Sequence, residues 1–244
     1  MSVKSALLSA VLAALPMSGF ADESCADDAM IVFDGSGSMS EVGFNNLDVP
    51  RIIDARRALR DVMPRITQFR RIGLIIYGPG VGDSCSNIDL RFGPTSDAAD
   101  LIINDVDRLQ PDGMTALTQS VARAAKTLNY RDRPAVVVLV TDGNETCGGT
   151  PCALADQLSK DAHDLTVHVI GFKVRADFFS WDNPEQTDES RVKATTVAEC
   201  LADKTGGTYV SAETVDELAL AMEETLGCAL IGADQPFERR SSWF

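Results

Sequence analysis

The sequence predicts an α/β fold built on an open, mostly parallel sheet with right-handed crossovers. Apolar segments of strand length recur along the chain, at 29–33, 72–77, 135–140 and 167–172. They are almost continuously hydrophobic rather than alternating, which is typical of strands buried on both faces of a parallel sheet. Amphipathic helical patterns lie between them, and a strand–helix–strand order places helices over the sheet.

The predicted strands begin with Ala29–Phe33, Ile72–Tyr77, Ala135–Val140 and Val167–Phe172. A short strand, Ile88–Phe92, follows the second one too closely for a helical crossover, so we expect it to be antiparallel and at an edge. A last strand is predicted over Gly206–Ala212. Three helical faces are defined by apolar residues at helical spacing: Ile52, Leu59, Val62, Met63 and Ile66; Leu117, Val121, Ala124 and Leu128; and Val215, Leu218, Met222 and Leu226.

The amino terminus has the pattern of a secretory signal peptide. Lys4 precedes the apolar run 6–17, and Gly19 and Ala21 place small residues at a cleavage site. We therefore predict a signal peptide over 1–21 cleaved near Ala21, one domain over 22–228, and a tail over 229–244. The expected location is secreted or periplasmic, with no membrane insertion after cleavage.

The charge of the chain indicates which partners to expect. The 244 residues carry a formal net charge of −14, and 45% of them are hydrophobic. Removing residues 1–21 loses one lysine and no acid, so the mature chain has 21 − 36 = −15. An acidic chain argues against nucleic-acid binding, because phosphates require a basic surface. It fits a soluble protein, or one that uses carboxylates to hold a cation.

Six cysteines, an even number, follow the predicted signal peptide and indicate disulfides formed in an oxidising compartment. We expect Cys25–Cys228 to join the chain ends, Cys147–Cys152 to form a local bridge, and Cys85 to pair with Cys200. The alternative pairing is Cys85–Cys147 with Cys152–Cys200. A zinc site at Cys147 and Cys152 is disfavoured, because no second close cysteine or histidine pair accompanies them.

Oxygen-bearing side chains follow the carboxyl ends of two predicted strands and precede one helix. The first strand leads into 34–38 (DGSGS), the third into Thr141-Asp142-Gly143, and the segment 111–115 precedes a helix. Ligands of open α/β sheets bind at this end. The candidate metal ligands are Asp34, Ser36, Ser38, Thr115 and Asp142. Such hard oxygen ligands suit one divalent cation, with Mg²⁺ expected first and Ca²⁺ or Mn²⁺ also compatible.

These segments resemble the metal-ion-dependent adhesion site of the von Willebrand factor type A (VWA) domain, and the resemblance runs from about Ala29 to Leu226. It implies a doubly wound, six-stranded, Rossmann-like sheet with one antiparallel edge strand and helices on both faces. It implies direct metal contacts from Ser36 and Ser38, from Thr115 in the ligand-bound form, and contacts largely through water from Asp34 and Asp142. Met114 stands where the family often has glycine. The segment 145–152 resembles that of a bacterial secreted subgroup.

The function implied is cation-dependent binding of another protein, often through an acidic side chain of that protein.

An enzyme is disfavoured: His163 and His168 are expected to be structural, and motifs for a nucleophilic serine, a P-loop or a dinucleotide are absent from the sequence. A metal-dependent hydrolase would need a general base, for which Glu145 and Asp112 are candidates, both expected to be solvated rim charges. A third alternative is a structural subunit of an envelope assembly, in which the metal only stiffens the loops. The loop 78–87 and the insertion 175–191 are expected to carry partner specificity.

Overall fold

A computed structural model describes residues 27–42, 49–174 and 198–227. Its centre is one six-stranded sheet with the order β3-β2-β1-β4-β5-β6. All neighbouring strands are parallel except β3, which pairs antiparallel with β2 at the edge. The strands are β1 Ala29–Asp34, β2 Ile72–Tyr77, β3 Ile88–Thr95, β4 Pro134–Thr141, β5 Asp164–Phe172 and β6 Tyr209–Ala212.

The described helices cover both faces of the sheet. They are α1 Arg51–Ile66, α2 Ala99–Arg108, α3 Leu117–Thr127, α4 Pro151–Asp161, α5 Glu199–Thr205 and α6 Val215–Leu226, and a short 3₁₀ turn spans Gly37–Ser40. Helix α6 starts at a capping box in which Thr214 Oγ1 accepts from the Glu217 amide and the Glu217 carboxylate accepts from the Thr214 amide. Helix α5 ends at Gly206 in the left-handed conformation.

Two hydrophobic layers enclose the sheet. One contains side chains of α1, α2 and α6, and the other contains side chains of α3, α4 and α5. Successive residues of a strand point to opposite faces, so Ile31 and Phe33 lie in the first layer and Met30 and Val32 in the second. All six residues of β1 are buried, as the continuous apolar segment predicts for a central parallel strand.

The predicted fold is confirmed, including the antiparallel edge strand. Strand β3 runs three residues further than predicted, to Thr95, and the last strand starts at Tyr209 rather than Gly206. The apolar faces predicted from the sequence belong to α1, α3 and α6, and not to α2, α4 or α5. The predicted signal peptide 1–21, the insertion 175–191 and the predicted tail 229–244 all lie outside the described residues. In the part of the chain described, none of the helices combines the length and apolar character needed to cross a bilayer.

The first pairing predicted for Cys85, Cys147, Cys152 and Cys200 is wrong. Cys85 is bonded to Cys147, and Cys152 to Cys200, which is the alternative pairing. The physical reason is that Cys152 lies within the first turn of α4 and faces α5, whereas Cys147 remains in the loop above the sheet next to the 78–87 loop. The predicted Cys25–Cys228 bridge falls outside the described residues.

Candidate metal centre

The candidate site lies where β1 and β4, adjacent strands at the centre of the sheet, end. The chain continues from β1 to β2 on one side of the sheet and reaches β4 on the other, so this is a topological switch point. Asp34 is the last residue of β1, and Asp142 directly follows β4. Both aspartates are buried, at 0% and 4% exposure. The fold thus brings together the two carboxylates predicted from separate segments.

Asp34 is held by three hydrogen bonds from its own loop and from β4. Its Oδ1 accepts from the Ser36 amide (2.8 Å) and from Ser36 Oγ (2.5 Å), and its Oδ2 accepts from Thr141 Oγ1 (2.7 Å). Tyr77 OH in turn donates to Thr141 Oγ1 at 3.2 Å. Because carboxylates are stabilised in the interior only when hydrogen-bonded, this network fixes the orientation of a buried charge.

Ser38 connects the first loop to Asp142. Its Oγ donates to Asp142 Oδ1 at 2.7 Å and lies 3.1 Å from Ser36 Oγ. Each serine hydroxyl has one hydrogen, and the shorter contacts direct both hydrogens to the carboxylates. The two hydroxyl oxygens are therefore left with lone pairs close together, an arrangement suited to a cation.

Asp142 lies in an environment that disfavours its negative charge. Burial, and then the nearby charge of Asp34, raise the pKa of Asp142 to about 6, while Ser38 and Arg51 act in the opposite direction. Its Oδ2 is buried and accepts no hydrogen bond from the described residues. Arg51 Nη1 lies 3.1 Å from this oxygen, an ion pair without hydrogen-bond geometry. The carboxylate therefore retains capacity for a further cationic partner.

Thr115 is positioned by the loop that follows β4. The Thr115 amide donates to Thr146 Oγ1 (2.8 Å), and the Thr146 amide donates to the Thr115 carbonyl (3.0 Å). Glu145 supports the same loop, because its Oε2 accepts from the Thr118 amide and its Oε1 from the Cys147 amide, both at 2.8 Å. The expectation that Glu145 is a solvated rim charge is therefore wrong: it caps the start of α3. Asp112 is exposed, as expected.

The loops around the site approach one another so closely that glycine is required at two positions. Gly113 has a φ of +79°, and a Cβ there would lie 2.3 Å from the Gly78 carbonyl oxygen. Gly78 has a φ of +109°, and a Cβ there would lie 2.6 Å from the Ser36 nitrogen. The Gly37 amide also donates to the Gly113 carbonyl at 3.1 Å. Backbone contact thus joins the loops that carry the candidate ligands.

These residues surround one open cavity of about 340 Å³. Ser36, Ser38, Thr115 and Asp142 line it, and Asp34 lies directly beneath. Within the described ranges, no group of three or more histidine, cysteine, aspartate or glutamate side chains could hold a metal. The arrangement therefore depends on hydroxyls as well as carboxylates, which fits a hard divalent cation. Zinc bound by thiolates is excluded at the four described cysteines, because all are in disulfides.

Comparison with known proteins identifies the fold family. The family profile of the von Willebrand factor type A domain matches residues 29–145. Residues 29–145 belong to a von Willebrand factor type A domain. The matched VWA segment contains Asp34, Thr115 and Asp142, and the sheet continues beyond it through β5 and β6.

Other proteins resemble this VWA domain over most of the chain. YwmD, an uncharacterised protein of Bacillus subtilis, is 29% identical over 84% of this chain and 88% of its own length. The pilus adhesin SpaC of Lactobacillus rhamnosus GG is 14% identical over 82% of this chain and 30% of its own, with a TM-score of 0.58. Proximal thread matrix protein 1 of the mussel byssus, whose adhesion site holds zinc, is 19% identical over 83% of this chain and 46% of its own, with a TM-score of 0.52.

Sequence reasoning missed two residues of the VWA site. Tyr77 ends β2 as an apparently apolar core residue, and no local pattern reveals that its hydroxyl reaches Thr141. Arg51 is the first residue of α1, where a positive charge opposes the helix dipole. That unfavourable position was the available signal, because such an arginine needs a carboxylate partner.

Proposed function

We propose that this chain is an extracytoplasmic module that binds another protein in a divalent-cation-dependent manner, through an acidic group of that partner. The observation that carries the proposal is the donor set at the switch point. The hydroxyl groups of Ser36 and Ser38 donate their hydrogens to carboxylates, so their lone pairs remain available at the cavity. The cavity is also lined by Asp142, whose buried Oδ2 accepts no hydrogen bond from the described residues. A divalent cation with open coordination positions fits this chemistry.

Ser36, Ser38, Thr115 and Asp142 would hold the ion, and Asp34 would support it from below. Two carboxylates do no more than neutralise one dication, and the hydroxyl ligands are neutral. The bound ion would therefore keep an electrophilic position for a carboxylate of the partner. We propose Mg²⁺, with Ca²⁺ and Mn²⁺ compatible with the same oxygen ligands. The mussel relative with zinc at its adhesion site supports a divalent cation at this place in the fold.

Apolar residues near the site support a protein as the partner. Met114, in the loop before α3, lines the cavity and is 41% exposed. Val81, in the 78–87 loop at the same end of the sheet, is 96% exposed. Exposed apolar side chains beside a polar site are typical of protein interfaces, in which a charged anchor is surrounded by hydrophobic contacts. The pilus adhesin among the structural relatives supports the same function.

We propose a binding module rather than an enzyme. A metal-dependent hydrolase needs a general base within reach of the ion. Both oxygens of Glu145 accept backbone hydrogen bonds, and Asp112 is exposed with its Oδ1 on the Gly113 amide. His168 lies on β5 against Thr208, within the sheet rather than at the cavity. The two disulfides between described residues fit an oxidising compartment and support secretion or a periplasmic location.

Affinity capture tests this function. The chain from residue 22 onward, immobilised, is exposed to the native envelope fraction or culture fluid in Mg²⁺ or in EDTA, beside Asp142→Asn and Asp112→Asn variants. We expect a protein that is retained by the wild type and by Asp112→Asn in Mg²⁺, and lost in EDTA and with Asp142→Asn. Retention of the same protein in all four conditions would instead favour a structural subunit whose contacts do not involve the ion.

A further inference from the structure

Arg51 is a buried cation placed directly against the candidate metal ligands. Its side chain is 7% exposed, and its Nη1 donates to the Ser38 carbonyl at 2.9 Å. The same nitrogen lies 3.1 Å from Asp142 Oδ2, on a carboxylate whose side chain is fully buried. Arg51 also lines the cavity with Ser36, Ser38 and Thr115. A guanidinium in this position repels a cation in the cavity and attracts an anion there.

Among the described residues, the carboxylates that pair with Arg51 are Asp142 and Glu41. Glu41 Oε2 lies 3.5 Å from Arg51 Nη1, and the Glu41 side chain is 52% exposed. Asp54, one helical turn further along α1, is engaged elsewhere: its oxygens bind Lys173 at 2.7 Å and Arg57 at 2.9 Å. Arg51 is therefore shared between one buried acid of the site and one acid at its rim.

The charge balance of the site depends on this sharing. Asp34 and Asp142 contribute two negative charges, and Arg51 offsets one of them at short range. At low dielectric a charge only a few ångströms away alters the free energy of a cation strongly. The more closely Arg51 is associated with Asp142, the weaker the attraction that remains for a divalent ion. Pairing with Glu41 reduces that effect.

We propose that Arg51 is a resident counter-ion that sets the divalent-cation affinity of the site, and that Glu41 modulates how strongly Arg51 holds Asp142. This inference rests on the proposed metal site. Arg51 has two opposite effects in it: it stabilises the folded protein by compensating Asp142, and it lowers affinity for the ion that the same carboxylate would bind. The site is thereby tuned to bind its ion more weakly than its carboxylates alone would.

Two substitutions at one position separate charge from hydrogen bonding. Arg51→Gln removes the charge, and Arg51→Lys keeps it without the guanidinium geometry. In calorimetric titrations with MnCl₂, we expect Arg51→Gln to bind at least about tenfold more tightly than wild type and Arg51→Lys to stay within about threefold. In EDTA, we expect Arg51→Gln to melt at a lower temperature than both. Equal changes in both variants, or weaker Mn²⁺ binding by Arg51→Gln, would overturn the proposal.

A double-mutant cycle tests the part assigned to Glu41. Glu41→Gln should weaken Mn²⁺ binding in the wild-type background, because Asp142 is then the one described carboxylate that still pairs with Arg51. The same substitution should change the affinity little when Arg51 is already glutamine. An equal loss in both backgrounds would mean that Glu41 acts on the ion directly, and would overturn its modulating role.

Failure of this inference is distinguishable from failure of the metal site. If Asp142→Asn loses Mn²⁺ binding while Arg51→Gln binds no more tightly than wild type, the site stands and the role of Arg51 is wrong. If the wild type binds no Mn²⁺, or if Asp142→Asn binds it as well as wild type, the metal site itself is wrong and this inference falls with it.

Discussion

The Thr115 side chain lies at the cavity, whereas its backbone is fixed by the reciprocal hydrogen bonds with Thr146. Removing its hydroxyl should leave the loop in place, because Thr146 contacts only the backbone. We expect Thr115→Ala to weaken capture of the protein partner more than it weakens Mn²⁺ binding, and Thr115→Ser to restore capture. Capture in Mg²⁺ and calorimetry on the same preparations measure the two effects. Losses of equal size would refute this separation of roles.

Thr141 connects the site to the core, because it accepts from Tyr77 OH and donates to Asp34. Thr141→Val keeps the shape but leaves both of these buried groups with one partner fewer. We expect a loss of about 1–3 kcal/mol in the free energy of unfolding, measured by urea denaturation in EDTA. Thr141→Ser retains the hydroxyl and should lose clearly less. A stability of Thr141→Val equal to wild type would show that the network contributes nothing.

At the scale of single residues, the sequence predicted which side chains meet at the ends of β1 and β4, but not the residues that orient them. Asp34, Ser36 and Ser38 are close in the chain, and Asp142 follows a recognisable buried strand, so topology alone brings them together. Tyr77 and Arg51 act through contacts across 64 and 91 positions of chain, the latter from 142 − 51, and depend on side-chain direction. Local patterns carry no information on such contacts.

A half-buried histidine of β5 contacts the residue that precedes β6. His168 Nδ1 lies 2.8 Å from Thr208 Oγ1 and accepts from the Thr208 amide at 3.2 Å, so this nitrogen is unprotonated. Burial, and then the charge of Arg70, lower the pKa of His168 below its usual range. The unfolded chain therefore takes up a proton at a higher pH than the folded protein does.

It follows that His168 costs the fold nothing above its unfolded pKa of about 6.5, and that stability is lost as the pH falls below that value. We expect the free energy of unfolding of the wild type to fall between pH 8 and pH 5 more than that of His168→Gln. Urea denaturation of both proteins at the two pH values measures the difference, and contributions from other groups cancel. Parallel pH profiles would contradict the assignment.

The two disulfides seen in the described part of the chain link different elements and should differ in their effect on function. Cys85–Cys147 joins the loops after β2 and β4 near the site, and Cys152–Cys200 joins α4 to α5. Their sequence separations are similar, 62 and 48 residues, so the chain-entropy model gives each at most about 4 kcal/mol. The pair is therefore a matched comparison of position.

We expect alanine at both cysteines of either bridge to lower the urea midpoint by a similar amount. Only the Cys85→Ala/Cys147→Ala variant should also weaken partner capture, because it frees the loop next to Glu145 and Thr146. Capture is compared without urea, where both double variants are folded. If the Cys152→Ala/Cys200→Ala variant weakened capture as much as the Cys85→Ala/Cys147→Ala variant, the effect would be one of stability rather than of loop position.

For the whole molecule, the continuous apolar segments and the lengths of the connections were enough to predict the sheet, its parallel character and the edge strand. Continuous apolar segments bury both faces of β1 and β4, and the short connection before β3 leaves only an antiparallel pairing. Disulfide pairing could not be predicted in the same way. It depends on where α4 begins relative to Cys147 and Cys152, and a displacement of one helical turn changes which cysteines meet.

Electron paramagnetic resonance of Mn²⁺ tests the central claim most directly, because the signal of the free aqueous ion disappears when the ion binds. We predict that wild type and Asp112→Asn each bind about one Mn²⁺ per chain and reduce the signal of the free ion accordingly. Asp34→Asn and Asp142→Asn should bind far less, although circular dichroism shows that they are folded. Asp112 is the control because it is an exposed carboxylate at the same end of the sheet. Mn²⁺ binding by Asp142→Asn equal to wild type, or a loss with Asp112→Asn as large as with Asp142→Asn, would contradict the account.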